Sequence, residues 1–261
     1  MDWSRAKTIL IMTFIFLNAF LIFQLVEKRN AENMSVMAQE DHSFQELLRR
    51  QNIEISIDDP EADEEGQYIS GEGHEFGDEE QSMIEEQFED QEISFRRNQM
   101  IRAVLDEPQE LFGLDMASSV ESFLADHLYN GDEYRFASYD EEERMIRAFQ
   151  VYEDEPLRYR GEESHVILYL TEDGEVEGYD QRYMDFSPQL APELMTPLEA
   201  IEVLILEYGI ADVVIDEVEL GHYNMTPANM DAHEYYAPMW RVTVDDEYYF
   251  VNAHNSEVWT D

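Results

Sequence analysis

The sequence predicts an α+β protein with one N-terminal transmembrane helix and an extracytoplasmic region of two lobes, each with a helix packed on an antiparallel sheet. Three observations support this fold class. An uncharged apolar run extends from residue 8 to residue 26, and a one-sided helix followed by several strands occurs twice after residue 110. Hydrophobic residues make up 44% of the chain and aromatic residues 12%, which is enough for a core despite the net charge of -45.

The apolar run from Thr8 to Val26 predicts a helix that crosses a membrane once. Its length is close to the ~20 residues that a spanning helix needs. A cleaved signal peptide is the main alternative, because Arg5 and Lys7 precede the run, but no small-x-small cleavage site follows it. We therefore expect an uncleaved anchor at 8–26, preceded by a cytoplasmic tail at residues 1–7.

The charges that flank the run predict its orientation. Two basic residues precede it and two follow it, so the positive-inside count is nearly a tie, which the α-amino group shifts toward a cytoplasmic N-terminus. We expect a single-pass protein of the cell membrane whose C-terminal domain lies outside. The chain has no cysteine, which is compatible with export and means that no disulfide stabilises the domain.

Residues 30–261 are strongly acidic. They contain 59 acidic and twelve basic residues, a net charge of -47, and every one of those basic residues is arginine. This charge repels nucleic acid and anionic lipid head groups, so it excludes binding of either by the outer region. Lysine, with a pKa of about 10.4, loses its charge at high pH while arginine keeps it. We interpret the composition as a response to an alkaline or saline medium.

Residues 27–51 are predicted to form a juxtamembrane helix, because three apolar residues near the end of this stretch have helical spacing. Residues 52–110 form an acidic α+β segment, in which seventeen acidic residues precede the first arginine and are interpreted as a solvated face. The predicted elements of this segment are a strand at 53–57, a strand at 68–76, a helix at 79–88, and a strand at 92–105 that Arg96-Arg97 interrupts, with Pro108 closing the segment.

The first lobe is predicted over residues 111–190. Its helix, at 118–128, has apolar residues on one side and ends at Asn130-Gly131. Asp173-Gly174 is a hairpin turn signal between the last two of its strands. The predicted strands lie at 133–139, 145–152, 165–170 and 175–183.

The second lobe is predicted over residues 191–261 and repeats this order. Thr196 and Pro197 are the expected N-cap and first helical residue, and Gly209 is the expected stop. Asp245-Asp246 is expected to form the last hairpin turn. The predicted strands lie at 213–223, 235–244 and 248–252.

The titratable residues do not form a recognisable catalytic or metal-binding motif. The seven histidines lack metal-ligand spacing, and no cysteine could complete a zinc site. Asp59, Glu61 and Asp63 alternate as calcium ligands do, but Glu64 replaces the glycine of an EF-hand and Ser70 replaces its last glutamate. The sequence has no G-x-S-x-G elbow, the motif that would indicate a serine nucleophile. We expect no cofactor, no bound metal, no catalytic residues and no small-molecule substrate.

Aromatic residues are concentrated near the C-terminus, where strand alternation would bury some and expose others. Tyr235, Tyr236 and Tyr249 are the candidate residues of a surface that contacts a partner protein. Packing within the sheet is the alternative for the same three residues.

Three stretches of the chain carry a family resemblance. Residues 1–9 (MDWSRAKTI), leading into an apolar run with Asn18, resemble the start of YycI proteins of Gram-positive bacteria. Residues 68–71 (YISG) resemble the middle region of that family, and residues 240–244 (WRVTV) its PepSY-like end. The resemblance covers most of the chain and implies an outer domain of two α+β lobes. The acidity is a departure, because family members from neutral-pH hosts have many lysines.

The resemblance implies a non-enzymatic regulator of the YycG (WalK) sensor histidine kinase of a two-component system. Such a regulator acts with a related single-span protein, YycH, to control cell-wall metabolism. An anchored accessory of a cell-wall hydrolase, or a peptidase inhibitor with a PepSY-like domain, is the alternative function.

The anchor contains the candidate residues for contacts within the membrane. Small and polar side chains hold helices together in lipid, and Asn18, with Thr13 and Ala19 nearby, is the best candidate for a contact with helices of the kinase and of YycH. A single tolerated asparagine is the alternative. The outer domain is expected to contact YycH through exposed sheet edges or an aromatic surface.

Overall fold

A computed structural model of the 261-residue chain describes residues 44–56, 66–111, 113, 115–189, 194–226, 233–245 and 247–260. The predicted tail at 1–7, the predicted anchor at 8–26 and most of the predicted juxtamembrane helix therefore lie outside the described residues. None of the helices within the described ranges has the length and apolar character needed to span a bilayer. The chain divides into two compact units, a small one with the residues up to Glu54 and Ile210–Val213, and a large one with the rest.

The small unit contains a helix, α1, over residues 44–51. Phe44 and Leu48, one turn apart, are buried on one side of it. Asn52 ends the helix with a φ of 54°, and its side-chain amide donates to the Asp212 carboxylate at 3.0 Å. The helix thus ends at residue 51, where the juxtamembrane helix is predicted to end.

The large unit is mostly sheet with a few helices. Its elements, together with the short β1 that precedes them, are β1 (Glu54–Ile55), β2 (Tyr68–Gly73), α2 (Asp78–Gln87), β3 (Gln91–Arg96), β4 (Met100–Gln109), α3 (Met116–His127), β5 (Tyr134–Asp140), β6 (Met145–Tyr152), β7 (Glu155–Arg158), β8 (Val166–Leu170), β9 (Val176–Arg182), β10 (Met184–Gln189), α4 (Pro197–Val203), β11 (Val214–Asn224), β12 (His233–Val244), β13 (Glu247–Asn252) and β14 (Val258–Thr260).

Sheet I is antiparallel, with the strand order β5-β6-β8-β9-β4-β3. Its core combines apolar residues of α2 and α3 with the inner faces of the strands. Val120 and Leu124 of α3 are fully buried there, and the Asp115 side chain caps the helix by accepting from the Ser118 N–H at 2.9 Å. The predicted one-sided helix is therefore present and covers this sheet.

Sheet II contains β10-β2-β12-β11, with β13 and β14 added beside the C-terminal half of β12. The Thr196 side chain and Glu199 form a capping box at the start of α4, and Pro197 is the first helical residue, as predicted. The last turn is a π-helix over Leu204–Tyr208 that ends at Gly209, whose φ is 74°. The Trp240 indole N–H of β12 donates to the Met195 carbonyl at 2.9 Å, just before α4.

The short strand β7 joins the two sheets. It pairs antiparallel with β6 through Val151 and Pro156, and parallel with β11 through His222 and Leu157. Each of these ladders spans two residue pairs. The hydrogen-bonded path from one sheet to the other is therefore narrow.

The acidic segment predicted over 52–110 is divided between the two sheets. After the two-residue β1, its next strand, β2, pairs with β10 and β12 of sheet II, while β3 and β4 complete sheet I. The boundary predicted near residue 190 also shifts, because β10 follows β9 directly in the chain but lies in sheet II. The lobes therefore exchange strands instead of following one another in the chain.

The strand predicted at 92–105, with an interruption at Arg96-Arg97, is a hairpin, because Arg97 and Asn98 adopt positive φ and turn the chain between β3 and β4. Pro108 lies within β4 instead of closing it. The register with β9 shifts between Val104 and Gln109, so the missing N–H of Pro108 falls where the ladder is interrupted.

Candidate functional site

The residues predicted to contact helices in the membrane, Thr13, Asn18 and Ala19, lie outside the described residues. The structure therefore bears only on the candidate residues after the predicted anchor.

The three tyrosines predicted to form a partner surface do not share one surface. Tyr235 and Tyr236 are neighbours on β12 and point to opposite faces of sheet II; Tyr235 is 52% exposed and Tyr236 is fully buried. Tyr249 of β13 is half-buried and pairs with Val242, which places it on the same face as Tyr236. The assignment of Tyr236 to a partner surface is therefore wrong, because strand alternation puts it in the core.

Tyr249 forms a partly exposed aromatic pair with Tyr208, the last residue of the π-helix. The rings of Tyr208 and Tyr249 meet edge to face, with centroids 5.8 Å apart, and Tyr208 is 50% exposed. We call this pair the tyrosine surface. Tyr208 is not among the residues predicted for a partner surface; it is the last residue of the π-helix, a turn that no local sequence signal indicates.

A polar network is buried in the large unit, where β12 meets β9 and the segment after β7. The Glu234 carboxylate is its centre: Tyr159 donates to Oε2 at 2.6 Å, Tyr236 donates to the same oxygen, and Arg182 donates to Oε1 at 3.1 Å. Arg182 also donates to the Tyr159 hydroxyl at 2.6 Å. We call these residues, with His165 and Gln150, the junction network.

The hydrogen bonds of the junction network define one tautomer of His165. The Gln150 backbone N–H donates to Nδ1 at 3.1 Å, so Nδ1 carries no proton, and Nε2–H donates to the Tyr236 hydroxyl at 2.9 Å. Burial, followed by the positive charge of Arg182, holds the pKa of His165 well below its ordinary value of 6.5. His165 is therefore a neutral donor and acceptor within the network.

The tyrosines of the junction network stay protonated at high pH. Burial raises the pKa of Tyr159, and the Glu234 charge raises it further against the lowering effect of Arg182. Burial also raises the pKa of Tyr236, together with Tyr159 and Glu234. The network thus keeps its donors in an alkaline medium.

The geometry of the junction network gives it a structural role. Glu234 is 4% exposed, and His165 and Tyr236 are almost completely buried. Their polar atoms bond to one another, so each buried group has the partner that it needs. The Gln150 side chain extends the network, since its amide donates to the Met184 carbonyl at 3.0 Å and accepts from the Met184 N–H at 2.9 Å. Residues of both sheets are fixed together in this way.

A second polar group of side chains, with His74 at its centre, lies nearer the surface. His74 bonds to the Asp185 carboxylate through Nδ1 at 2.8 Å and to the Glu80 carboxylate through Nε2 at 3.1 Å. The Tyr129 hydroxyl also donates to Glu80, at 2.9 Å. We call His74, Asp185 and Glu80 the histidine clamp. Partial burial lowers the pKa of His74, but the bonds and charges of the two carboxylates outweigh burial and raise it above 6.5.

Neither the junction network nor the histidine clamp forms a metal centre. In the part of the chain that the structure describes, no three or more histidine, aspartate or glutamate side chains are arranged to hold a metal ion. The acidic stretch with Asp59, Glu61 and Asp63 lies outside that part.

The sequence of this chain matches the model of one protein family. The family model described as YycI protein matches residues 31–254. No curated protein sequence matches the chain.

Two solved structures are remotely similar. An uncharacterized protein from Eubacterium rectale ATCC 33656 is 11% identical, with 80% of this chain and 91% of that chain covered and a TM-score of 0.45. The Bacillus megaterium YpeB C-terminal domain is 14% identical, with 72% of this chain and 99% of that chain covered and a TM-score of 0.37.

Proposed function

The chain belongs to the YycI protein family, and from this membership we propose that it is a non-enzymatic, membrane-anchored regulator of the YycG (WalK) sensor histidine kinase. It acts together with a YycH-like single-span protein in the control of cell-wall homeostasis. The observation that carries the proposal is the family match over residues 31–254. The YycI family is a regulatory family associated with the YycG/WalK system.

The junction network supports a non-enzymatic role. Shifted pKa values often mark catalytic groups that face a cleft. Here the groups with the largest shifts, among them His165 and Tyr236, lie in the interior and bond to other residues of the same network. Their hydrogen bonds hold the domain together.

Contacts within the membrane are the first part of the proposed mechanism. The helix over 8–26 packs against helices of the kinase and of the YycH-like protein, with Asn18 as the interhelical donor and Thr13 and Ala19 allowing close approach. A side-chain amide in this position contributes ~1 kcal/mol. This part of the proposal comes from the sequence of the anchor.

Substitution of Asn18 by leucine tests the membrane contact. Asn18→Leu in the full chain removes the amide but keeps an apolar helix, so we expect about five-fold less kinase and YycH-like protein to co-purify from membranes. Asn18→Gln is the matched control, because it keeps an amide and should retain most of the complex. Equal co-purification of the wild type and Asn18→Leu would contradict the proposed role of Asn18.

Contacts outside the membrane are the second part of the mechanism. We assign them to the tyrosine surface, because Tyr208 exposes half of a large aromatic side chain and its ring is held in place by Tyr249. Exposed aromatic residues that are already ordered lose little entropy when a partner covers them.

Substitution of Tyr208 by serine tests the outer contact. We expect Tyr208→Ser to lower the amount of co-purified YycH-like protein about ten-fold, in line with a loss of ~1–2 kcal/mol at an aromatic contact. Tyr139→Ser is the control, because Tyr139 is similarly exposed on β5, at 43%. If both variants lose the partner equally, the tyrosine surface has no special role.

A further inference from the structure

The exposed strand edges of the large unit differ in how they are protected. Among the described residues, and apart from the two-residue β1, the strands that pair on one side only are β3, β5, β10 and β14. Such an edge presents unpaired N–H and C=O groups that can bind another strand, and proteins usually block it.

The edge of β10 is blocked at two points. The Gln150 side-chain amide occupies both the N–H and the C=O of Met184, at 2.9 and 3.0 Å. At the other end Pro188 has no N–H to offer. The sequence around these residues thus prevents a further strand from adding to sheet II here.

The edges of β5 and β14 are also unsuitable for pairing. β5 has a register shift between Phe136 and Ser138, and the Phe136 N–H already donates to the Glu121 carboxylate at 3.3 Å. β14 spans three residues, and the Arg160 guanidinium lies over the ring of its Trp259, 5.0 Å from the centroid.

The edge of β3 has no such protection. It is six residues long and has neither proline nor lysine. The Asp106 N–H donates to the Asp90 carbonyl, so alternation directs the backbone groups of Glu92 and Ser94 toward β4 and those of Ile93 and Phe95 away from it. Within the described residues, no partner accepts or donates to these outward groups.

The exposed face of β3 is complementary to itself. Glu92, Ser94 and Arg96 alternate along it and are all exposed. If two copies of β3 run antiparallel with Ser94 on the two-fold axis, Glu92 of each copy lies opposite Arg96 of the other. On the other face, Ile93 lies opposite Phe95, a β-branched and aromatic pair of the kind that stabilises neighbouring strands.

We propose that two copies of this chain associate through β3, which joins two sheets I into one continuous antiparallel sheet. The register places Ile93 opposite Phe95, so these residues form four backbone hydrogen bonds, and two Glu92–Arg96 pairs flank the axis. The turn after β3 adds Arg97, which approaches the acidic Glu89-Asp90 turn of the second copy. These contacts offset locally the repulsion between two strongly acidic domains.

A single cysteine at Ser94 tests this register directly, because the chain has no other thiol. Residues opposite each other in a non-hydrogen-bonded antiparallel pair have Cα atoms about 4.5 Å apart, within the range of a disulfide. We expect full-length Ser94→Cys in membranes to form a disulfide-linked dimer under mild oxidation, at least five-fold more than Ser138→Cys. Ser138 is the matched control, because it is an exposed serine on the edge strand β5.

Charge exchange in the Ser94→Cys background tests the pairing partner. Glu92→Arg places arginine opposite arginine, so it should lower the cross-linked fraction to that of the control. Adding Arg96→Glu reverses both charges and should restore most of the dimer, which also shows that the Glu92→Arg chain folds.

Three results would overturn the proposal. The first is an absence of dimer from Ser94→Cys, and the second is equal cross-linking of Ser138→Cys. The third is a cross-link from Ser94→Cys to a different protein, which would assign the edge to that protein.

Discussion

His165 and His74 occupy opposite kinds of environment in the same domain. His165 is buried with a neutral hydroxyl and a backbone N–H as partners, and its pKa is lowered. His74 lies between two carboxylates near the surface, and its pKa is raised. The comparison teaches that the partners of these two histidines set the direction of their pKa shifts: burial lowers the pKa of His165, which no carboxylate contacts, whereas two carboxylates together outweigh burial at His74.

The two histidines give stability opposite dependences on pH. The contribution of His165 is present above its unfolded pKa of 6.5 and is lost as the pH falls from there through the lower folded value. The contribution of His74 is present below 6.5 and is lost as the pH rises from there through the higher folded value. An alkaline medium therefore favours the junction network and weakens the histidine clamp.

Removing the carboxylate of the junction network should have the largest effect. Glu234→Ala leaves Arg182 without its buried partner and removes the carboxylate to which two tyrosine hydroxyls donate, so we expect a loss of about 3 kcal/mol in the free energy of unfolding by urea. Glu219→Ala is the control: Glu219 is half exposed and pairs with Arg241, and its loss should cost less than about 1 kcal/mol. Similar losses for both variants would show that burial of the network is unimportant.

Removing one hydroxyl of the network should have an intermediate effect. Tyr236→Phe leaves His165 Nε2–H without an acceptor in the core, which should lower the free energy of unfolding by about 1–2 kcal/mol. Tyr235→Phe alters the exposed neighbour and should change it by less than about 0.5 kcal/mol. The difference between the two losses of unfolding free energy, both measured in urea at one pH, gives the contribution of the buried Tyr236 hydroxyl relative to that of an exposed one.

Removing the charge of the histidine clamp should have the smallest effect and should change mainly the pH profile. Between pH 6 and 9 the wild type should lose about 0.5 kcal/mol more stability than His74→Asn, because Asp185 is exposed and the ion pair is screened. Tyr129 and Tyr183, which also face His74, stay protonated throughout this range because burial raises the pKa of each above its ordinary value of 10. Parallel pH profiles for the two proteins would show that His74 carries no charge in the clamp.

Local sequence signals predicted much of the fold. The Thr196-Pro197 start and Gly209 end of the C-terminal helix are confirmed, because caps depend on neighbouring residues. β7 and β10 were missed, since each is a short stretch with a proline and little alternation, and each becomes a strand only beside its partners.

The junction network could not be predicted from local signals. His165 and Tyr236 are 71 residues apart in the chain, and their contact depends on the register of strands from both sheets. Tyr236 was assigned to a partner surface because composition alone does not show which of two adjacent tyrosines faces the core. The acidic surroundings of His74 were visible, but the approach of Asp185 depends on the pairing of β10 with β2.

The narrow ladder of β7 has a consequence for amide hydrogen exchange. Only two residue pairs join β7 to each of its neighbours, so backbone bonds alone would let sheets I and II open separately. The junction network couples their openings through side chains. Amides of both sheets should therefore exchange as one cooperative unit in the wild type, and as two units of unequal protection once Glu234 is removed.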